Sequence, residues 1–291
     1  MRVLVTGAGG QLGLDLLDAF ADHEVAGLSH AQLDVADEPA VVAAVRDHEP
    51  DLVVHAAAWT SVDGCEQDPD RAHRVNALGS WWVARACRLV DAAMVYISTD
   101  YVFDGRGRGG AAGTPQPYSE FDPVDPLNHY GRSKAAGEQL LRQTLAEHYI
   151  VRTSWVCGAR GSNFVTTMLR VGRERGAAQV VDDQVGSPTF TRDLAGAIRE
   201  LVVTGRYGTY HRTNHGTCSW YDLAAATYEL AGMDVDLEPI SSDQLDRPAP
   251  RPAYSVLGER HSVLSGLRTL PPWRDGLARL LAEVAAREGS P

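Results

Sequence analysis

The fold of this chain is decided by the stretch Val3-Leu4-Val5-Thr6-Gly7-Ala8-Gly9-Gly10-Gln11-Leu12-Gly13. A short β-branched run leads into a glycine loop and then into a helical pattern, and the glycines repeat as Gly7-x-x-Gly10-x-x-Gly13. Glycine permits a tight turn, and it lets backbone approach a pyrophosphate and a helix pack closely on a strand. The following helix N-terminus offers unpaired N–H groups to phosphates. An ordinary glycine turn is the alternative, but the strand–loop–helix context favours dinucleotide binding.

The rest of the chain repeats this alternation of short apolar runs and longer amphipathic stretches. We predict strands over 2–6, 24–28, 51–55, 94–98 and 149–153, and helices over 12–21, 39–48, 71–90 and 130–145. Further strands of the same sheet are predicted at 179–182 and 208–212, and a helix over 219–231 has Ser219 as its N-cap. Helix-length connections between strands indicate βαβ units. The fold class is therefore α/β, a Rossmann-type doubly wound parallel sheet with a smaller C-terminal substrate-binding lobe.

Changes in composition suggest how the chain divides. Residues 105–125 are rich in glycine and proline and predict a surface loop, while the proline-containing region 240–257 predicts a loop-rich lobe. A closing helix is expected from about 273 to 286. We expect a dinucleotide-binding domain of residues 1–153 plus about 179–214. A substrate-binding lobe would comprise about 154–178 and 215–291.

Composition excludes several classes of partner. The 291 residues include 27 Lys and Arg against 38 Asp and Glu, a net charge of −11, which disfavours nucleic acid and anionic membranes. No apolar run approaches the roughly 20 residues of a membrane span, and no signal-peptide pattern is seen. The four cysteines form no C-x-x-C, and no histidine lies at ligand spacing. We expect a cytoplasmic protein with no nucleic-acid or membrane partner and no metal.

A tyrosine and a lysine lie four residues apart in Tyr130-Gly-Arg-Ser-Lys134, on one face of a predicted helix. A free phenol has a pKa of about 10, too high for efficient proton exchange at neutral pH. A nearby ammonium stabilises phenolate, and lowering the pKa by about three units needs about 4 kcal/mol. We therefore expect a desolvated Lys134, helped by a bound nicotinamide, to lower the pKa of Tyr130, although a surface helix pair is the alternative interpretation.

The fourth strand ends at Ser98-Thr99-Asp100. Ligands of such sheets bind beyond the carboxyl ends of the strands, so Thr99 and Asp100 are expected to point into the site. A hydroxyl there would hold a carbonyl oxygen beside the Tyr130 proton. A strand-end turn cap is the other interpretation.

The second strand ends at Gly27-Leu28-Ser29-His30 without the carboxylate that often holds the ribose 2′-hydroxyl of NAD. Because no carboxylate repels a 2′-phosphate there, we expect NADP(H) as cofactor, with NAD(H) kept open. Asp34 follows shortly and is expected either near the adenine or as a cap of the next helix.

The glycine loop, Ser98-Thr99-Asp100 and Tyr130-x-x-x-Lys134 together resemble the extended short-chain dehydrogenases/reductases. Longer strings resemble the dTDP-4-dehydrorhamnose reductase family within that group. They are His55-Ala-Ala-Ala-Trp-Thr60-Ser-Val-Asp63, Ser98-Thr-Asp-Tyr-Val-Phe-Asp-Gly105, Pro126-Leu-Asn-His-Tyr130-Gly, Arg152-Thr-Ser-Trp155-Val and Asp183-Gln-Val-Gly-Ser-Pro188-Thr.

This resemblance implies a role for each matching residue. Tyr130 would be the proton donor, Lys134 its activator and Thr99 the hydroxyl that tunes it. The sugar would be held by Thr99, Asp100 and Trp155. The cofactor would contact Gly7, Gly10, Gln11, Leu12 and Gly13 at the pyrophosphate, Asp34 and Val35 at the adenosine end, and Ala56, Ala57, Ala58, Thr60, Tyr130 and Lys134 at the nicotinamide side.

The resemblance also implies a substrate. Related 4,6-dehydratases carry an Asp-Glu pair after the threonine, whereas Tyr101 follows Asp100 here, which favours simple reduction of a dTDP-4-keto-6-deoxyhexose. The alternatives are a 4-ketoreductase of another dTDP-deoxysugar pathway, of the antibiotic or dihydrostreptose type, and a non-catalytic regulatory subunit. Trp81-Trp82 on the helix over 71–90 fits either buried packing or the face of a homodimer, and both stay open.

Overall fold

Twelve strands occur in the computed structural model, which describes residues 1–109 and 113–288. They are β1 (Arg2–Thr6), β2 (Glu24–Leu28), β3 (Leu52–His55), β4 (Ala93–Thr99), β5 (His148–Thr153), β6 (Val156–Cys157), β7 (Ala177–Val181), β8 (Val185–Gly186), β9 (Thr189–Phe190), β10 (Gly208–His211), β11 (Cys218–Ser219) and β12 (Asp236–Ile240). Six of them form a central sheet in the order β10-β5-β4-β3-β1-β2, and every pairing in it is parallel. The predicted doubly wound parallel sheet is confirmed.

Eleven α-helices connect or cover these strands in the same described residues. They are α1 (Gln11–Ala19), α2 (Glu38–His48), α3 (Val62–Gln67), α4 (Pro69–Ala72), α5 (Gly79–Leu89), α6 (His129–Thr144), α7 (Phe164–Arg175), α8 (Thr191–Val202), α9 (Trp220–Leu230), α10 (Arg260–Leu264) and α11 (Trp273–Glu288). The predicted strands and helices are thus largely confirmed to within a few residues, and Ser219 is the N-cap of α9 as expected.

Strand β1 shows why helices cover both faces of the sheet. Val3 and Val5 pack on one face with residues of α1 and α8, while Leu4 packs on the other with residues of α2 and α5. A strand buried on both faces is apolar along its whole length, as the run Val3-Leu4-Val5 is. This arrangement leaves the carboxyl edge of the sheet as the place where a ligand can enter.

The predicted helix over 71–90 is divided into α4, a π-helical segment (His73–Leu78) and α5. Inserted π turns often occur at functional sites. Here the segment carries Asn76, which is fully buried and bonds the backbone of Trp59 in both directions, at 2.8 and 3.0 Å. Its Nδ2 also donates to Ser133 Oγ at 3.0 Å, so this residue joins the loop after β3 to α6.

The prediction that 179–182 adds a strand to the central sheet is wrong. That stretch is in β7, which pairs in parallel with β12 in a separate two-stranded sheet, with Ala177 opposite Asp236. Its apolar pattern identified a strand, but its partner is almost 60 residues further along the chain. The other strand predicted there is confirmed, because β10 pairs with β5 at the edge of the central sheet.

The glycine- and proline-rich loop over 105–125 is only partly at the surface. Residues 110–112 of that prediction lie outside the described residues. Tyr118, Ser119 and Glu120 are buried. The Tyr118 ring stacks on Phe103 with centroids 4.2 Å apart. The loop therefore packs against the residues that follow β4.

Other expectations concern the cysteines and the paired tryptophans. All four cysteines are free and buried. Trp81 and Trp82 are both half-buried on α5, with the Arg85 guanidinium over the Trp81 ring, so the homodimer stays a prediction. Over residues 1–109 and 113–288, no helix combines the length and apolar character needed to cross a membrane.

Candidate active site

The glycine loop follows β1 at the topological switch point of the sheet, where β2 lies on one side of β1 and β3 on the other. Ligands of doubly wound sheets bind in the crevice at such a switch point. Gly7 has φ +71°, and a Cβ there would lie 2.6 Å from the Ala57 nitrogen after β3. A Cβ at Gly13 would lie 2.3 Å from the Gly7 carbonyl oxygen. Both positions therefore require glycine for the loop to close over the strand ends.

Helix α1 begins with Gly10 as a cap that has no side chain to satisfy the first amides. The N–H groups of its first turn remain directed at the crevice, where an anion would accept them. The Gln11 side chain turns elsewhere: its Nε2 donates to the Val156 carbonyl at 3.1 Å, and its Oε1 accepts from the Gly158 N–H at 2.9 Å. Gln11 thus joins the phosphate loop to the segment after β5.

Two adjoining cavities of about 550 and 590 Å³ meet over Gly7, Gly9 and Gly10. Together they form a groove with two compartments and a glycine-lined waist, which fits a molecule of two nucleosides joined by a diphosphate. The first cavity is bordered by Asp34, Val35, Ala56, Ala57 and Ala58, and Ala56 and Ala58 border the second cavity as well. The second cavity is bordered by Gln11, Leu12, Gly13, Thr60, Thr99, Asp100, Tyr130, Lys134 and Trp155. The groove therefore brings together every residue predicted for the site.

The hydrogen bonds of Asp34 show whether it caps the next helix. Its Oδ1 accepts the Ala36 N–H at 2.9 Å, whereas α2 is capped by Asp37, which accepts the Ala40 N–H at 3.1 Å. The interpretation of Asp34 as the cap of the next helix is therefore wrong. Ser29 and His30 follow β2 at the same cavity, so the strand ends without a carboxylate, as the sequence indicates.

Tyr130 and Lys134 lie in the first turns of α6, where Asn128 caps the helix by accepting the Gly131 N–H at 2.9 Å. Lys134 is buried, and its Nζ lies 4.0 Å from the centroid of the Tyr96 ring. Burial lowers the pKa of Lys134 to about 7, against the opposing effect of the Glu138 carboxylate. The interpretation of the pair as a surface feature is therefore wrong.

In the chain without nicotinamide, the pKa of Tyr130 is not lowered, so the expected lowering with bound cofactor stays a prediction. Burial and the Asp100 carboxylate raise the pKa of the phenol above its ordinary value, and a hydrogen bond with Thr99 only partly opposes them. The physical reason is desolvation, which disfavours the charged phenolate more than the hydrogen bond with Thr99 favours it. Without a bound cofactor, Tyr130 is therefore protonated at neutral pH.

Thr99 and Asp100 combine the two roles that the sequence left open. Thr99 Oγ1 accepts the Tyr101 N–H at 3.2 Å, a turn cap, and donates to Asp100 Oδ1 at 3.0 Å while bordering the cavity. Burial raises the pKa of Asp100 to about 6, although hydrogen bonds with Ser255 and Thr99 oppose it. Within the described residues, its Oδ2 is buried and has no hydrogen-bond partner. An oxygen of that kind is ready to accept a ligand hydroxyl.

Three residues at the site were not predicted. Thr153 ends β5 opposite Thr99, and its buried hydroxyl has no partner in the described part of the chain. Trp220 borders the same cavity from α9. Glu138, one turn beyond Lys134, accepts a hydrogen bond from Ser98 Oγ at 2.6 Å. The spacing from Lys134 could have indicated Glu138, but no local pattern brings Trp220 to the site.

A glycine-lined crevice at the switch point that ends at a half-buried tyrosine and a buried lysine is the arrangement of the short-chain dehydrogenases/reductases. The fold and the site therefore define the class of this protein as a nicotinamide-dependent oxidoreductase.

Comparison with known proteins narrows the class, and the chain belongs to the RmlD substrate binding domain family, whose model matches residues 1–286. It is 45% identical over 288 residues to dTDP-4-dehydrorhamnose reductase of Mycolicibacterium smegmatis, covering 97% of this chain and 86% of that protein. It is 43% identical to the spore coat polysaccharide biosynthesis protein SpsK of Bacillus subtilis, with 97% of each chain covered. A solved dTDP-4-dehydrorhamnose reductase from Bacillus anthracis, in complex with NADP, has a TM-score of 0.92 at 41% identity, covering 97% of this chain and 99% of that one.

Proposed function

We propose that the chain is an NADPH-dependent reductase of the 4-keto group of a dTDP-4-keto-6-deoxyhexose, which converts dTDP-4-dehydro-L-rhamnose to dTDP-L-rhamnose. The observation that carries this proposal is the common end point of the groove. Thr99, Asp100, Tyr130 and Lys134 all border the cavity that begins at the glycine loop. The names of the Mycolicibacterium smegmatis and Bacillus anthracis relatives, both more than 40% identical, agree with this reaction.

The cofactor's position follows from the groove. Gln11 and Leu12 would bind the pyrophosphate through backbone N–H groups beside Gly10, whose own N–H donates to the Gly7 carbonyl, and Asp34 with Val35 would border the adenosine. Ala56, Ala57, Ala58 and Thr60 would lie along the nicotinamide side. When bound there, NADPH supplies the hydride that reduces the carbonyl carbon.

Tyr130 supplies the proton in this reaction. Its phenol and the Thr99 hydroxyl border the same cavity, and the two hydroxyls would together hold the carbonyl oxygen of the sugar. As that oxygen becomes an alkoxide, the phenolic O–H bond breaks and its proton passes to the alkoxide, leaving a phenolate. The Lys134 ammonium stabilises the phenolate, and exchange with solvent restores the proton.

Asp100 and Trp155 would hold the sugar. The unpartnered Asp100 Oδ2 would accept a sugar hydroxyl, and the Trp155 indole offers a flat apolar surface to the ring. This places the polar side of the substrate toward β4 and its apolar side toward the lobe.

The division of labour between the parts of the chain is also a proposal. Because β7 pairs with β12, we assign β7 to the substrate-binding lobe. The second segment of the dinucleotide-binding domain is then about 191–214 instead of about 179–214. We further propose a cytoplasmic location, and homodimerisation through the helix that carries Trp81-Trp82 stays a prediction.

A panel assay tests the reaction. NADPH oxidation is followed with dTDP-4-dehydro-L-rhamnose and with other dTDP-4-keto-6-deoxysugars, each offered in turn. The proposal expects the first to give the highest kcat/KM. A higher kcat/KM for a different keto-sugar would assign the chain to that pathway, and no oxidation with any of them would indicate a regulatory protein.

Cofactor choice is tested in the same assay by comparing KM for NADPH and NADH. We expect KM for NADPH to equal or fall below KM for NADH, because β2 ends at Ser29 and His30. Ser29→Asp should raise KM for NADPH by about tenfold while changing KM for NADH much less, since the new carboxylate would repel a 2′-phosphate. A strong preference of the unmodified chain for NADH would contradict this account.

A further inference from the structure

Trp155 has an unusual backbone conformation. Its φ is +48°, and the other non-glycine residues with positive φ in the described chain, Glu49 and Asp91, lie in exposed turns after helices. A bulky residue rarely adopts the left-handed region, and such strain persists only where the surroundings impose it. Trp155 follows β5 at the carboxyl edge of the sheet and borders the site cavity. The strain therefore lies in the ligand-facing wall itself.

Two neighbours from the lobe impose this conformation. The Trp155 indole stacks on that of Trp220, with ring centroids 3.6 Å apart and planes 8° from parallel. At Gly186 a Cβ would lie 2.5 Å from Trp155 Cε2, so only glycine leaves room for the indole. The Trp155 carbonyl also accepts the Thr189 N–H at 3.2 Å.

Trp220 is held in place by several neighbouring elements. Gly186 on β8 pairs with Cys218 on β11, and Trp220 follows β11 directly, so one two-stranded sheet positions both neighbours of Trp155. Trp220 is the first residue of α9, whose capping box joins Ser219 and Asp222 in both directions. Phe164 packs on Trp220 from α7, with centroids 4.6 Å apart. The indole of Trp220 is thus fixed from two helices and a strand pair.

The cavity consequently has two unlike walls. Thr99, Asp100 and Tyr130 present hydroxyl and carboxyl groups on the sheet side, while Trp155 and Trp220 present aromatic surface on the lobe side. The C–H face of a sugar and a methyl substituent suit an aromatic wall, whereas an added hydroxyl there would lose its hydrogen bonds to water.

We propose that Trp220 is a substrate-positioning and specificity-determining residue, which holds Trp155 in its strained conformation so that the stacked indoles receive the methyl group of a 6-deoxysugar. This inference rests on the proposed function. It assigns to the lobe the preference for a 6-deoxysugar over its 6-hydroxy counterpart. An apolar pocket rejects an added hydroxyl by at most about 10²-fold, which bounds the preference.

The experiment compares Trp220→Ala with Trp273→Ala. Trp273 is also half-buried at the first position of a helix in the same lobe cluster, but it does not border the cavity. Binding of dTDP-L-rhamnose and of its 6-hydroxy counterpart dTDP-L-mannose is measured by calorimetry in the presence of NADP, and NADPH affinity is measured separately. We expect Trp220→Ala to weaken dTDP-L-rhamnose binding about tenfold and to remove most of the preference over dTDP-L-mannose. NADPH affinity should stay within about twofold in both variants.

A spectroscopic readout covers the case in which Trp220→Ala does not fold. Two stacked indoles give an exciton couplet in circular dichroism, and Trp220→Phe should abolish it and reduce the sugar preference, whereas Trp273→Phe should retain both. The proposal is overturned if the Trp220 variants keep the preference, or if the Trp273 variants lose it equally. If the unmodified chain reduces no keto-sugar yet the Trp220 variants lose binding as expected, the proposed function fails and the aromatic wall stands.

Discussion

The guanidinium of Arg152 on β5 donates two hydrogen bonds to the carboxylate of Glu138 on α6, from Nε at 2.8 Å and from Nη2 at 2.7 Å. Both side chains are almost completely buried. Glu138 also accepts from Ser98 Oγ, one residue before Thr99. This pair therefore fixes the helix that carries Tyr130 and Lys134 against the strands that carry the remaining site residues.

Glu138→Gln should lower the free energy of unfolding by about 3–5 kcal/mol, because it leaves the buried Arg152 charge without its partner. Glu174→Gln is the matched control, since its carboxylate pairs with Arg170 at an exposed position and its loss should leave the urea midpoint unchanged. Equal midpoints for the two variants would contradict the structural role of the buried pair.

The same pair predicts how stability depends on pH. Burial raises the pKa of Glu138, but the charge and hydrogen bonds of Arg152 outweigh it and lower the pKa from 4.5 to about 2. A lowered folded-state pKa stabilises the native state above the unfolded-state value, and this contribution is lost as the pH falls from 4.5 toward 2. The stability difference between the unmodified chain and Glu138→Gln, measured by urea unfolding, should shrink through that window.

Gly13→Ala should impair cofactor binding, because its methyl group would lie 2.3 Å from the Gly7 carbonyl oxygen and push α1 away from the loop. We expect the NADPH dissociation constant, measured by fluorescence titration, to rise at least about tenfold. Gly196→Ala is the control: a Cβ there meets no atom within 4 Å, so this exposed position of α8 should gain stability and keep NADPH affinity. Unchanged affinity in Gly13→Ala would argue against the phosphate loop.

Lys134 predicts the alkaline limb of the rate profile. Burial lowers its pKa to about 7, and the ammonium is the form that stabilises the Tyr130 phenolate. The kcat/KM for NADPH, which reports the free enzyme, should therefore fall as the pH rises through about 7. Lys134→Arg keeps the charge at all these pH values, so its slower reaction should lack that limb. A flat profile in the unmodified chain, or the same limb in Lys134→Arg, would contradict the assignment.

The sequence was sufficient for those parts of the fold that depend on local pattern. The glycine spacing placed the phosphate loop, and the rule that ligands bind at the carboxyl ends of parallel strands placed Thr99 and Asp100 in the groove. The partner of β7 could not be predicted, since an apolar run shows that a strand forms but not which sheet it joins.

Properties that depend on burial were also beyond the sequence. The Tyr130–Lys134 spacing indicated an interaction, but the direction of the Tyr130 pKa shift depends on how completely the folded chain removes water from the phenol. No motif connects Trp220 to Trp155, because 64 residues and two short sheets lie between them in the chain. Tertiary packing alone creates that contact.

If Tyr130 donates the proton in the NADPH-dependent reduction, Tyr130→Phe removes the hydroxyl on which the reaction depends. Tyr101→Phe is the control, since its ring lies 5.7 Å from that of Tyr130 at the same cavity. With dTDP-4-dehydro-L-rhamnose, NADPH oxidation by Tyr130→Phe should be about 10²–10⁴-fold slower in kcat, while its NADPH dissociation constant stays within about twofold. Tyr101→Phe should retain most of its turnover. A Tyr130→Phe variant that oxidises NADPH at the rate of the unmodified chain would contradict the account.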